Sequence, residues 1–333
     1  MRELEVASGE SVLVLGATGG IGGELARQLR DAGWKVRALK RGLQNEAVQH
    51  DGITWLRGDA MNREDVLSAA RGCSVIVHAV NPPGYRRWAQ LVLPMIDNTI
   101  AAAIAGRATI VLPGTVYNYG PDAFPLLRED ALQRPRTRKG AIRVEMELRL
   151  RVAATQGARV IVVRAGDFFG PQAANNWFSQ GLIRPGRPVT AVKVPGDRGV
   201  GHQWSYLPDV AHTMTAVLAR REALPAFATF HMEGHWDEDG TQMAAAIQRV
   251  AGLHGLPVRI SSFPWWLIRL AAPFTQTFHE LLEMRYLWRQ PVRLDGTHLR
   301  EFLGEEPHTP LDEAVAATLA GLRCLPGVGA QRS

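Results

Sequence analysis

The sequence predicts an α/β fold: a doubly wound parallel sheet followed by a smaller, less regular C-terminal part. Two observations predict it. From Ser11 onward, short apolar or β-branched runs alternate with helix-like segments, the order that yields a parallel sheet covered on both faces. The first run also passes through a glycine-rich turn into an amphipathic stretch, "SVLVLGATGGIGGELARQL", as a strand, turn and helix would.

Taken in order, strands are expected at 11–15, 34–39, 53–57, 75–79, 108–113 and 159–164. Between them, 20–32, 62–71, 88–105 and 139–156 have the length and apolar spacing of crossover helices. Six strands complete a sheet within residues 1–165. After Arg164 the alternation stops: "RPGRPVTAVKVPGDRGVG" implies loops and "YLPDVAHTMTAVLARR" one further helix. Residues 166–333 are therefore expected to be mostly a substrate-facing part, with some segments returning to the sheet. The segment "FPWWLIRLAAPFTQTFHELLEMRYLW", broken by Pro273, reads as apolar helices packed over the sheet, as a lid or a dimer contact. Its alternative is a helix lying on a membrane surface.

The chain of 333 residues is 46% hydrophobic and 21% charged, which suits a globular protein rather than a disordered one. A net charge of +6 is diffuse and fits an anionic ligand; no basic run interleaved with aromatics appears, so nucleic acid is not expected as a partner. Cys73 and Cys324 lack metal-site spacing and read as free thiols in a reducing compartment. The start, "MRELEVASGE", lacks the features of a secretion signal, and no apolar stretch reaches the roughly 20 residues of a membrane helix. A cytoplasmic protein without a membrane partner is the expectation. No metal is expected either, because His231, His235 and Asp237 in "HMEGHWDE" fall at a strand end and turn, not on a helix.

The glycine turn carries the first chemistry. Gly16 permits the tight turn, Gly19 lets backbone N–H groups approach a pyrophosphate at the helix N-terminus, and Gly22 allows close helix-to-strand packing. With Thr18, Gly20 and Ile21 between them, they form a dinucleotide loop in a Rossmann-type fold. The second strand, "WKVRALKR", ends in Lys40 and Arg41, where an NAD site places a carboxylate for the ribose 2′-OH. Two cations there suit a 2′-phosphate, so NADP(H) is expected in preference to NAD(H). The bland alternative is an exposed basic turn.

The spacing "GATGGIGG" resembles the short-chain dehydrogenase/reductase superfamily, specifically its extended branch of epimerases, dehydratases and reductases. Later segments agree in order along residues 11 to about 250. "LRGDAMNRED" resembles the family's Gly-Asp segment and implies that Asp59, with Ala60, meets the adenine; "VIVHAVNPP" resembles the strand beside the nicotinamide ribose and implies Ala79 and Asn81 there. "VRAGDFFGP" resembles the loop passing the carboxamide, implicating Gly166 and Phe168, and "HQWSYLPDVAHTM" resembles a later strand-to-helix segment. The resemblance also implies dimerisation through two helices.

Catalysis in that family uses a Ser or Thr, then a Tyr and a Lys four residues apart. "LPGTVYNYG" puts Thr115 at the Ser/Thr position, where its hydroxyl would bond a substrate carbonyl. Alignment through Glu129, Pro135 and Glu147 sets Lys139 at the Tyr position and Arg143 at the Lys position, so the Tyr-x-x-x-Lys pair is missing. Four residues apart on a helix, both reach one pocket. Arg143 would hold the nicotinamide ribose and Lys139 would donate the proton; Tyr117, with Tyr119 beyond it, is the rival donor. The competing reading makes Arg143, Glu147 and Arg151 a solvated ladder.

Extended-branch nucleotide-sugar enzymes commonly carry Asn where this chain has Asp167, whose carboxylate would repel a substrate pyrophosphate. The expectation is therefore an atypical NADP(H)-dependent oxidoreductase acting on the carbonyl or alcohol of a small organic molecule. A nucleotide-sugar epimerase/dehydratase and a non-catalytic NADP(H)-sensing regulator are the alternatives.

Overall fold

The computed structural model describes residues 9–82, 88–173, 176–274 and 276–326. Strand β1 (Ser11–Leu15) sets the architecture through its alternation: Val12 and Val14 face one core, Leu13 and Leu15 the other, and all four are buried. Further strands in the first half are β2 (Lys35–Lys40), β3 (Ala47–His50), β4 (Ile53–Arg57), β5 (Val75–His78), β6 (Thr109–Gly114), β7 (Leu126–Leu127) and β8 (Arg159–Arg164). Then come β9 (Asp167–Phe169), β10 (Ala191–Val194), β11 (His202–Tyr206), β12 (Phe227–His231), β13 (His235–Asp237), β14 (Arg259–Ser262) and β15 (Arg293–Leu294).

Helices α1 (Gly20–Asp31), α2 (Arg63–Ala70), α3 (Trp88–Gly106) and α4 (Arg138–Thr155) connect the early strands. Later ones are α5 (Leu207–Ala219), α6 (Gln242–Leu253), α7 (Trp265–Ala271), α8 (Gln276–Met284), α9 (Thr297–Leu303) and α10 (Leu311–Gly321). Their starts follow the local sequence. Asn62 caps α2, its Oδ1 accepting the N–H groups of Glu64 and Asp65, and Thr137 caps α4 by accepting from Gly140 N.

The main sheet has eight strands in the order β12-β8-β6-β5-β1-β2-β4-β3, parallel except for the antiparallel edge strand β3. Helices α1 and α5 cover the face of Val12 and Val14; α2, α3 and α4 cover the face of Leu13 and Leu15. The six expected strands all form, but six is an undercount. β3 is an exposed edge without an apolar signal, and β12 enters the sheet from beyond residue 166. Because β1 is flanked by β2 and β5, the chain reverses direction across the sheet there, which opens a crevice at the strands' carboxyl ends.

Helix α3 is 19 residues long and contains an 18-residue stretch with a mean hydropathy of 1.3, long and apolar enough by composition to cross a membrane. It buries Trp88, Val92, Ile96 and Ala103 in the core against the sheet. A second core gathers Phe169, Phe178, Trp204, Trp265 and Trp288 with α6 and α10. Here the expectation for the aromatic segment needs correction: Trp265 and Ile268 of α7 pack into this second core, not over the main sheet.

Candidate active site and cofactor cleft

The crevice begins with glycines that nothing larger can replace. Gly16 has φ +92°, and a Cβ there would lie 2.5 Å from the Ala79 carbonyl oxygen; a Cβ on Gly22 would lie 2.3 Å from the Gly16 oxygen. Gly19 differs, since its Cβ would meet only Gly16 O, at 3.3 Å, leaving its outer side open. It caps α1 without a side-chain hydrogen bond, and the first turn carries no acidic residue. Unsatisfied N–H groups and the positive end of the helix dipole thus face the crevice, as a pyrophosphate requires. The donor set fits a dinucleotide, and Gly20 and exposed Thr18 complete the loop.

Register places Leu39 opposite Leu15, so Lys40 and Arg41 follow directly beside this loop. Both are exposed: Lys40 Nζ lies 5.5 Å from the Trp55 ring centroid, and Arg41 is 3.9 Å from the Asp59 carboxylate. Asp59 is turned back on its own loop, accepting from Met61 N, while Ala60 O accepts from Asn98 Nδ2.

Deeper in, a cavity of about 160 Å³ is lined by Ile21, Ala79, Asn81, Thr115, Tyr117, Arg143, Gly166 and Phe168, all expected from the sequence. Arg143 stacks 5.1 Å over the Trp88 ring centroid and reaches Asn81 Oδ1 at 3.4 Å. Lys139 is not on the cavity wall. Its side chain is buried 2.7 Å from the Glu280 carboxylate of α8, and its Nζ lies 5.8 Å from the Trp88 ring centroid. Burial pushes the Lys139 ammonium below its ordinary value, and Glu280 partly offsets that push. Tyr119 is also elsewhere, fully buried with the Arg164 guanidinium 5.1 Å from its ring centroid.

A buried network behind Thr115 was not legible in the sequence. Arg164, 0% exposed, donates to the Thr115 carbonyl, to Glu147 Oε2 at 3.0 Å and to His231 Nε2 at 3.2 Å. Glu147 also accepts from Asn118 Nδ2 and Gln133 Nε2, and the Thr115 hydroxyl donates to Asn118 Oδ1 at 3.2 Å. Burial alone would raise the Glu147 carboxyl, but Arg164 and the amide donors more than offset it and hold it below its ordinary value. The ladder reading of α4 is thereby corrected. Arg143 faces the cavity, Glu147 is buried, and only Arg151 remains on the exposed side.

Two other groups bound the cavity. His78 is buried and bonded to Thr99 Oγ1 at 2.8 Å; burial and the charge of Arg143 push it down to about 3, so it is neutral near pH 7. Asp167 lies 2.9 Å from His202 Nε2, and the His202 ring stacks on Trp288 with centroids 3.7 Å apart. Trp177, which also lines the cavity, packs against Phe263, Trp265 and Trp288 of the second core with centroids 5.2–5.9 Å apart.

Comparison with known proteins agrees with this architecture. Residues 12–232 match the model of the NAD dependent epimerase/dehydratase family. A curated relative, the 3-diazoavenalumate denitrifying reductase of Streptomyces sp, is 31% identical over 237 residues, covering 66% of this chain and 73% of the relative. The 2-alkyl-3-oxoalkanoate reductase of Shewanella oneidensis is 37% identical over 73 residues, 21% of this chain and 18% of that one. Among solved structures, the UDP-glucuronic acid 4-epimerase of Bacillus cereus, in complex with UDP-glucuronic acid and NAD, superposes with a TM-score of 0.69 at 14% identity. That match covers 94% of this chain and 99% of the other. MoeE5, in complex with UDP-glucose and NAD, gives 0.67 at 19% identity over 94% and 98%. At these identities the structural matches speak for the fold.

Proposed function

The chain belongs to the NAD dependent epimerase/dehydratase family, and on that premise we propose that it is an NADP(H)-dependent reductase of a carbonyl group on a small, largely apolar organic molecule. The observation that carries this reading is one cavity that brings Thr115, Tyr117 and Arg143 together, with Trp177 on its lining. On the same lining the Asp167 carboxylate disfavours the pyrophosphate of a nucleotide-sugar substrate. The two reductase-named relatives support the same direction.

When bound, the nicotinamide supplies hydride chemistry at the carbonyl carbon, so that carbonyl, NADPH and a proton become alcohol and NADP⁺. The protein's own groups manage the oxygen and the proton. Tyr117, partly exposed on the cavity wall, hydrogen-bonds the carbonyl oxygen and gives it the proton. The Thr115 hydroxyl donates to Asn118 across a long 3.2 Å bond, so it turns to the substrate oxygen at little cost. Arg143 holds the nicotinamide ribose and, as a fixed cation, favours the tyrosinate left after transfer. Lys40 and Arg41 take the 2′-phosphate.

The test is a paired NADPH and NADH titration, followed by a carbonyl screen on wild type, Tyr117→Phe and Lys139→Ala. Preference for NADPH, and a turnover that drops about 10²–10⁴-fold in Tyr117→Phe while binding persists, is the expected result. Tight binding without turnover on any carbonyl overturns the reductase in favour of a sensor. A collapse confined to Lys139→Ala returns the proton to the lysine.

A further inference from the structure

Away from the cofactor crevice, α7 and the helical turn Ala272–Phe274 leave four large apolar side chains in water. Trp266, Leu267, Leu270 and Phe274 are 63%, 46%, 67% and 89% exposed. Spacings of three and four residues align them along one flank. The other flank is anchored: Trp265 and Ile268 are buried in the second core, and Trp265 Nε1 donates to Pro195 O at 2.8 Å. The exposed flank is therefore a fixed feature of the surface and larger than a scatter of single apolar residues.

Beside it opens a cleft of about 700 Å³ lined by five arginines, Arg136, Arg138, Arg269, Arg285 and Arg289, against the carboxylates of Asp197 and Glu283. Arg269 belongs to both features, since it sits in α7 between Leu267 and Leu270 and lines the cleft. Arg285 lies with its guanidinium carbon 5.1 Å from the Trp265 ring centroid; its Nε is buried and makes no hydrogen bond among the described residues. Asp197 answers Arg289 at 3.2 Å, and Glu283 faces His279 at 3.6 Å, so the cleft keeps an excess of positive charge. Burial and the nearby Arg269 both disfavour the Arg285 cation, a strain that an incoming anion relieves.

We propose that this surface docks the protein onto an anionic phospholipid bilayer. Trp266, Leu267, Leu270 and Phe274 enter the boundary between headgroups and acyl chains, while the arginine cleft takes headgroup phosphate. The charge decides between this occupant and a second copy of the chain: a two-fold contact through the same flank brings two arginine-rich clefts into one interface, where they repel. A bilayer offers apolar depth and negative charge together. On this proposal the surface-helix reading of the segment, rather than the expectation of no membrane partner, describes the chain.

The full chain is floated with vesicles of phosphatidylcholine alone and of phosphatidylcholine mixed with phosphatidylglycerol, at low and high salt, with inorganic phosphate titrated separately. The expected result is binding to the mixed vesicles only, weakened by salt. Trp266→Ser with Phe274→Ser should abolish it; Arg138→Gln and Arg269→Gln should each weaken it about fivefold, with circular dichroism unchanged because all four side chains are exposed. Equal binding to both vesicle types, or none to either, overturns the proposal. So does saturable binding of inorganic phosphate without vesicle binding, which makes the cleft a soluble-ligand site, and so does a dimer that Trp266→Ser with Phe274→Ser dissolves.

Discussion

Replacing Glu147 by Leu removes the carboxylate that answers Arg164, a guanidinium that is 0% exposed and is left with the Thr115 carbonyl, the His231 ring and the Tyr119 ring. Breaking a buried ion pair on one side costs about 3–5 kcal/mol, because the surviving charge stays desolvated without its partner. At roughly 1.4 °C per kcal/mol for a chain of this size, the melting temperature should fall by about 4–7 °C. Adding Arg164→Met removes the second charge, and most of the loss should return, since two apolar side chains of similar volume carry no desolvation penalty. Activity should not return, because Arg164→Met also removes the donor that holds the Thr115 carbonyl. The assay pairs thermal unfolding by circular dichroism with NADPH oxidation for the two single variants and the double. A Glu147→Leu protein that melts with the wild type refutes the reasoning, as does a double variant no more stable than the sum of its singles. The sign with pH is fixed as well. Glu147 titrates lower folded than its ordinary 4.5, so its contribution is complete above about 4.5 and fades as pH falls through the lower folded value.

Lys40→Ser with Arg41→Ser should weaken NADPH binding tenfold to hundredfold for each charge-assisted bond lost, at about 1.5–3 kcal/mol apiece, and leave NADH nearly unchanged; fluorescence titration with both cofactors checks it. Gly22→Ala puts a methyl 2.3 Å from the Gly16 oxygen and should abolish cofactor binding while the sheet still forms, read by the same titration and far-ultraviolet circular dichroism. His78 and His231 titrate near 3 when folded against an ordinary 6.5, so the unfolded chain gains their protons first as pH drops. Their contribution is whole above 6.5 and is lost progressively toward about 3, with roughly 2 kcal/mol gone per histidine by pH 5. His235, pushed down to about 4, loses a similar share by pH 5, so a His78→Gln protein should show about two thirds of the wild-type fall in melting temperature between pH 7 and pH 5; an unchanged fall would remove His78 from the account.

What could be read in the sequence is what short-range patterns encode. The strand, glycine turn and helix from Ser11 to Asp31 are visible because burial alternates along β1 and the glycines fall where the backbone must close on itself. The cavity residues Asn81, Thr115, Tyr117, Arg143 and Phe168 were reachable because each follows a recognisable strand end or occupies a motif position. What stayed hidden depends on contacts between distant segments. Nothing near Glu147 announces Arg164, nor does anything near Lys139 announce Glu280 on α8, and the i, i+4 pattern of α4 made Glu147 look like one rung of a solvated ladder. β3 was missed because an exposed edge of four residues carries no apolar signal, and β12, although His231 was read as a strand end, was left out of the sheet because "FATFH" is short and lies after the alternation has stopped.

On the proposed reading, the same contacts explain how a chain without Tyr-x-x-x-Lys keeps acid catalysis. The task needs a phenol or ammonium at the substrate oxygen and a cation that steadies the conjugate base. Lys139 is a poor candidate for the first role, because its charge is buried against Glu280 and a proton leaving it would strand that carboxylate in a dry site. It serves better to tie α8 to α4. Arg143 cannot release a proton near neutral pH, which makes it a permanent cation on the cavity wall, next to a histidine that is neutral there. That leaves the phenol of Tyr117, carried into the cavity by the turn whose Thr115 end is fixed by Arg164 and Asn118. The rigidity of the Arg164 network therefore becomes a catalytic requirement: the more the Thr115 turn wanders, the less often Thr115 and Tyr117 meet the same oxygen.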